Sequence, residues 1–194
     1  MNWETYIAFG DSITKGARTY LGYPELVGSQ LTSHLLTQWN VVNHSVCGFK
    51  AIDLARYIDT HFLSLKEKQS SISTILIGTN DIKEKTQAAD FRIALEQVIL
   101  KTKLLTINSN VILMTIPEFH RGITYPYSME MNNQVVALNA EIKALTDKHD
   151  IRMLSIDHHA DDFTDGVHLN DQGLRTFSSQ ISRYILKDKG IELN

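Results

Sequence analysis

The chain has 194 residues, 43% hydrophobic and 21% charged, with a formal net charge of -3. That length and balance suit one globular domain over residues 1–194 and place the chain well away from the disordered class. Lys and Arg are scattered singly or in pairs such as Lys101/Lys103, with no basic stripe for a phosphate backbone, so no nucleic-acid partner is expected.

Taken in chain order, the first strand is expected over residues 5–9, a short apolar run. The segment before it has no basic stretch, and the run is too short for a signal-peptide core. No segment approaches the about 20 apolar residues of a membrane span. No membrane span and a cytoplasmic location are therefore expected. Pro24 suits the first turn of a helix through Leu26, Val27, Leu31 and Leu35, with a break near Asn40. A second strand follows over residues 41–46, ending beside Cys47, which as the only cysteine provides neither a disulfide framework nor a Cys-based zinc site.

Leu54, Ile58 and Phe62 mark a helix over residues 51–63, and residues 73–77 form a third strand. Phe91, Leu95, Val98, Ile99 and Leu105 have the spacing of a long third helix before a strand at residues 110–116. The longest irregular stretch, residues 117–128, comes next. Val135, Leu138, Ile142 and Leu145 mark a fourth helix, and residues 151–156 a fifth strand. Phe177, Ile181, Tyr184 and Ile185 mark the last helix, entered through Asn170 as N-cap. The strands are near-continuous in Ile, Val and Leu, which implies burial on both faces, as in a parallel sheet covered by helices. Strands and helices alternate with no Pro/Gly/Ser linker, which predicts an α/β fold: a doubly wound three-layer α/β/α sandwich.

In such folds ligands bind at the C-terminal ends of the strands. Four unusual segments fall there. Gly10-Asp11-Ser12 follows the first strand, Cys47-Gly48 the second, and Gly78-Thr79-Asn80-Asp81 the third. Asp165-Gly166-Val167-His168 lies between the fifth strand and the last helix. A serine nucleophile needs a base, and the base needs a group to orient it. Ser12, His168 and Asp165 are the chemical types required. The backbone N–H groups of Ser12 and Gly48 and the side-chain amide of Asn80 are candidate donors to a developing oxyanion. Each segment alone reads more readily as turn or cap chemistry; their convergence on one edge is what points to a catalytic site.

Together these four blocks resemble the GDSL/SGNH hydrolase superfamily. The resemblance implies a flavodoxin-like sandwich with a five-stranded parallel sheet in the order 2-1-3-4-5. It implies Ser12 as nucleophile, His168 as base, Asp165 as its support, and Ser12, Gly48 and Asn80 as oxyanion donors. The activity expected is hydrolysis of a small-molecule acyl ester through an acyl-enzyme on Ser12, with no cofactor and no metal. Residues 117–128 are expected to overhang the same edge as a rim or lid, with Phe119, His120 and Tyr125, together with Asp11, contacting substrate. Nothing in the residues speaks to an oligomeric state.

Rival readings remain. Asp157, His158, His159, Asp161, Asp162, Asp165 and His168 form a stretch rich in metal-ligating types, as a metal-dependent hydrolase would use, but without regular ligand spacing. Ser12-Ile13-Thr14-Lys15-Gly16 superficially looks like a hydroxyl-rich phosphate loop for a flavin, although neither a P-loop nor a Gly-x-Gly-x-x-Gly motif occurs. A third reading is a non-catalytic ligand-binding module on a hydrolase scaffold.

Overall fold

Residues 2–68 and 70–191 are described by the computed structural model. In chain order the strands are β1 (Asn2–Gly10), β2 (Thr37–Ser45), β3 (Ile72–Leu76), β4 (Val111–Met114) and β5 (Arg152–Leu154). The helices are α1 (Ser12–Lys15), α2 (Tyr23–His34), α3 (Ala51–Lys68), α4 (Thr79–Lys83), α5 (Ala88–Leu105), α6 (Asn132–His149) and α7 (Asp171–Asp188). The strands form one sheet in the order β2-β1-β3-β4-β5, and every neighbouring pair is parallel. The α/β/α sandwich and the 2-1-3-4-5 order are thus as expected.

The two-residue period of the strands divides the core. Ile7, Phe9, Ile75, Val111 and Leu113 face α3, α5 and α6, whose Leu54, Ile58, Leu95, Val98, Leu138 and Ile142 are fully buried against them. Tyr6, Ala8, Ile72, Leu76, Ile112 and Met114 point the other way, onto Val27 and Leu31 of α2 and Phe177, Ile181 and Ile185 of α7. Pro24 sits in the first turn of α2, and the Asn170 side chain accepts from the Gly173 N–H at 3.0 Å to cap α7, both as expected. No helix of the described residues is long and apolar enough to cross a membrane.

Several boundaries differ. The helix expected to break near Asn40 ends at His34, and β2 begins at Thr37. Leu35 and Leu36 continue an apolar pattern, but pairing with β1 from Asn2↔Thr37 to Gly10↔Ser45 draws the segment into the sheet. Toward the other edge, β4 stops at Met114, and the Ile116 N–H turns to the Asn139 side chain at 2.8 Å. The strand β5 is only three residues long, matching the three register pairs β4 offers it. The short helices α1 and α4 have no counterpart in the sequence pattern. At four and five residues they are too short to show a period.

Candidate active site

Where β1 ends, Asp11 turns the chain into α1 by accepting the Ile13 N–H at 3.0 Å, which makes Ser12 the first helical residue. Ser12 Oγ lies 3.0 Å from His168 Nε2, and His168 Nδ1 lies 2.9 Å from Asp165 Oδ2. Asp165 Oδ1 accepts the N–H groups of Val167, at 3.1 Å, and His168, at 2.8 Å. A carboxylate cannot donate, so Nδ1 carries the ring proton toward Asp165 and Nε2 is left as acceptor for the Ser12 hydroxyl. Burial raises the Asp165 pKa, but the hydrogen bonds and charge of His168 and the Val167 N–H outweigh it and hold the carboxyl below its ordinary value.

The turn carrying these groups is built around Gly166, which adopts φ +75°. A Cβ there would lie 2.5 Å from the His120 carbonyl oxygen and 2.4 Å from an Ile123 methyl group, so the position suits only glycine. The His120 N–H in turn donates to the Gly166 carbonyl at 3.0 Å. Gly48 follows β2 with φ +86° in an exposed position where an added Cβ would meet nothing within 4 Å; its conformation, not crowding, favours glycine. Two straps fix the backbone beyond it. Asn80 Nδ2 donates to the Phe49 carbonyl at 3.0 Å, and the Ala51 N–H donates to Asp81 Oδ2 at 2.9 Å. The Asn80 amide nitrogen carries a second hydrogen beyond the one given to Phe49.

Burial raises two carboxyls close to this edge. Asp81 is pushed up to about 6, with the Ala51 N–H partly offsetting burial. Asp11, wholly buried, is pushed up to about 7; the Ile13 N–H and nearby Thr79 ease its ionisation only in part, and Oδ2 has no partner in good hydrogen-bonding geometry. Because the fold favours neutral Asp11, its contribution to stability is present below the ordinary value of 3.8 and is lost as pH rises through about 7. Asp11→Asn should therefore gain stability relative to the parent across that window, by a few kcal/mol at most on the order of the linkage. Thermal midpoints of both proteins from pH 4 to pH 8 provide the check; parallel curves would rule the account out.

The expected substrate contacts fare differently. Asp11 has no exposed surface and Phe119 is 2% exposed within the core, so neither side chain reaches a ligand: Asp11 serves as a cap and Phe119 as packing. Tyr125 is 96% exposed, its ring in solvent. His120 turns its ring to His158, with Nε2 2.9 Å from His158 Nδ1, and packs on Phe163 at 4.8 Å between centroids. Residues 117–128 are fastened as a rim: Phe119 exchanges two hydrogen bonds with the Asn132 side chain, at 2.8 and 2.9 Å. The tyrosine of this segment nearest the site is Tyr127. Half-buried and packed edge-on against Phe119 at 5.1 Å, it is raised to about 12 by burial and by the charges of Asp11, Asp165 and Glu84. No spacing rule distinguishes it from Tyr125 in the sequence.

Among the described residues, no three His, Cys, Asp or Glu side chains converge as a set for a metal ion. The side chains of the acidic and histidine-rich stretch go separate ways. Asp165 holds His168, His158 meets His120, and Asp162 accepts from the His159 N–H at 2.9 Å and from Thr176 Oγ1 at 3.0 Å.

A parallel 2-1-3-4-5 sandwich with serine, imidazole and carboxylate in line at its strand ends is the frame of an SGNH-type hydrolase fold. Residues 8–175 match the GDSL-like lipase/acylhydrolase family, and the chain belongs to that family. It is accordingly a hydrolase acting on ester bonds. Among solved structures, a lipase/acylhydrolase from Enterococcus faecalis superposes with a TM-score of 0.77 at 22% identity, covering 95% of this chain and 96% of that one. The acetyl xylan esterase AlAXEase gives 0.74 at 24% identity over 91% and 97% of the two chains. An acetylxylan esterase from Geobacillus stearothermophilus gives 0.69 at 20% identity over 97% and 95%. At these identities the likeness is one of fold. No curated protein matches the chain.

Proposed function

We propose that this protein cleaves a small carboxylic ester through an acyl-enzyme on Ser12, with residues 1–194 acting as one domain. The observation that carries the reading is the line Ser12 Oγ–His168 Nε2 at 3.0 Å and His168 Nδ1–Asp165 Oδ2 at 2.9 Å. Ser12 Oγ attacks the ester carbonyl as its proton passes to Nε2, and Asp165 stabilises the resulting imidazolium. The carbonyl oxygen, now an anion, takes hydrogen bonds from the backbone N–H groups of Ser12 and Gly48 and from the Asn80 amide. The imidazolium then protonates the departing alcohol oxygen, the C–O bond breaks, and the acyl group stays on Ser12. A water molecule, deprotonated by the same nitrogen, attacks the acyl-enzyme and releases the acid.

Acetyl esters of carbohydrates are the first substrates to examine, because two of the fold neighbours are described as acetyl xylan esterases. The direct test uses a p-nitrophenyl alkylphosphonate, which traps an activated serine. One equivalent of p-nitrophenol should be released, activity on p-nitrophenyl acetate should disappear, and the adduct should map to Ser12. Full hydrolysis with no adduct, or an adduct elsewhere, would exclude the acyl-enzyme assigned here and leave ester hydrolysis by another mechanism.

A further inference from the structure

We propose that Arg18 is a specificity residue that recognises a negatively charged group on the alcohol half of the ester, an inference that rests on the Ser12 reading above. Arg18 lies between α1 and α2, with Nε 3.5 Å from Asp165 Oδ2 and a side chain that is 58% exposed. Asp165 has no need of it for orientation. Its two oxygens already take the N–H groups of Val167 and His168 and the His168 ring. An ion pair so exposed and so long also contributes little to stability.

What the contact does is aim the guanidinium. With Nε turned to Asp165, Nη1 and Nη2 have no protein acceptor among the described residues, and the side chain is more than half exposed. These two nitrogens present paired donors in the planar geometry that matches a carboxylate or phosphate. The Arg18 charge also offsets Asp165, which would otherwise repel an anion. Two more exposed bases stand close along the chain to the catalytic groups: Lys15 ends α1, which begins at Ser12, and Arg121 follows His120, whose N–H is bonded to Gly166. Glu84, the acid at the end of α4 that acts on Tyr127, is paired with Lys83 at 3.2 Å.

The topology assigns the anion to the alcohol rather than the acyl group. Gly48 and Asn80 lead into α3, α4 and α5 on one side of the sheet, and hold the carbonyl oxygen there. Arg18 leads into α2, which packs on the opposite side, and its guanidinium meets Asp165, the partner of the His168 ring whose Nε2 protonates the leaving oxygen.

The experiment compares 4-acetoxybenzoate, whose leaving phenol carries a carboxylate, with its neutral methyl ester. The ratio of kcat/KM for the charged ester to that for the neutral one is measured in the parent, Arg18→Ala and Arg18→Lys. Intrinsic differences between the two esters cancel between proteins. Arg18→Ala should lower the ratio about ten-fold, as for loss of one exposed charge-assisted contact. Arg18→Lys should fall between, and the parent's ratio should decline with added salt. A ratio in Arg18→Ala within two-fold of the parent overturns the proposal. That includes equal losses on both esters, which would make Arg18 only a support for Asp165. Failure of the underlying reading looks different: Ser12→Ala would then hydrolyse both esters as fast as the parent, and the Arg18 proposal would fall with it.

Discussion

Ser12→Ala should lower kcat for a short acyl ester by roughly four to six orders of magnitude, with the fold intact. The hydroxyl's hydrogen bond is to His168 Nε2, at 3.0 Å, and the side chain is only 6% exposed. Its removal therefore costs the fold about one ordinary hydrogen bond, on the order of 1 kcal/mol, while the reaction loses the atom that forms the acyl bond. Single-turnover and steady-state rates on p-nitrophenyl acetate, alongside a melting curve, separate the two. Turnover within ten-fold of the parent at an unchanged melting temperature would remove Ser12 from the chemistry, and with it the roles given to His168 and Asp165.

Asn80→Ala should cost about 10²–10³ in kcat, the size typical of one lost oxyanion donor. The amide is pre-aimed: the 3.0 Å bond from Nδ2 to the Phe49 carbonyl fixes its plane, and α4 places it at 4% exposure beyond β3. Because that bond also holds the segment after Gly48, a second cost is expected in stability, on the order of 1–3 kcal/mol. The loss from a transition-state donor falls on kcat with KM little changed, whereas a loosened binding surface raises KM. A kcat within ten-fold of the parent, with the penalty appearing in KM alone, would assign Asn80 a structural role only.

The two variants probe opposite sides of one arrangement. Ser12 and His168 are 156 residues apart in the chain, yet their contact is set by the rigid ends of β1 and the turn before α7. That turn is itself braced: Gly166 bonds to the His120 backbone, and His120 bonds to His158. His120 and His158 thus help to hold the Asp165–His168 turn in place, a structural use for groups whose types alone suggest ligands.

Much of this was legible in the sequence because its physics is local. The apolar runs of β1, β3 and β4 must be buried on both sides, and helical spacing in α5, α6 and α7 shows which faces cover them. Alternation of the two element types then restricts the fold to a parallel sandwich, and the strand-end rule collects Ser12, Gly48, Asn80 and the Asp165/His168 turn on one edge. Even the capping of α7 by Asn170 depends on a side chain reaching its own neighbours.

Other features were decided only when distant segments met. The start of β2 depends on its ladder with β1, and just beyond β4 the Ile116 N–H turns to an asparagine 23 residues further along. Whether an aromatic side chain on the rim faces ligand, core or solvent turned on packing. Phe119 went inside, Tyr125 outside, and Tyr127 to the site, although all three lie within nine residues. Asp11 ended as a buried cap and Arg18 beside Asp165 for the same reason. Residue type and spacing determine what a segment can bury and what chemistry it can bring; which partner each side chain finds depends on through-space contacts that the one-dimensional pattern does not encode.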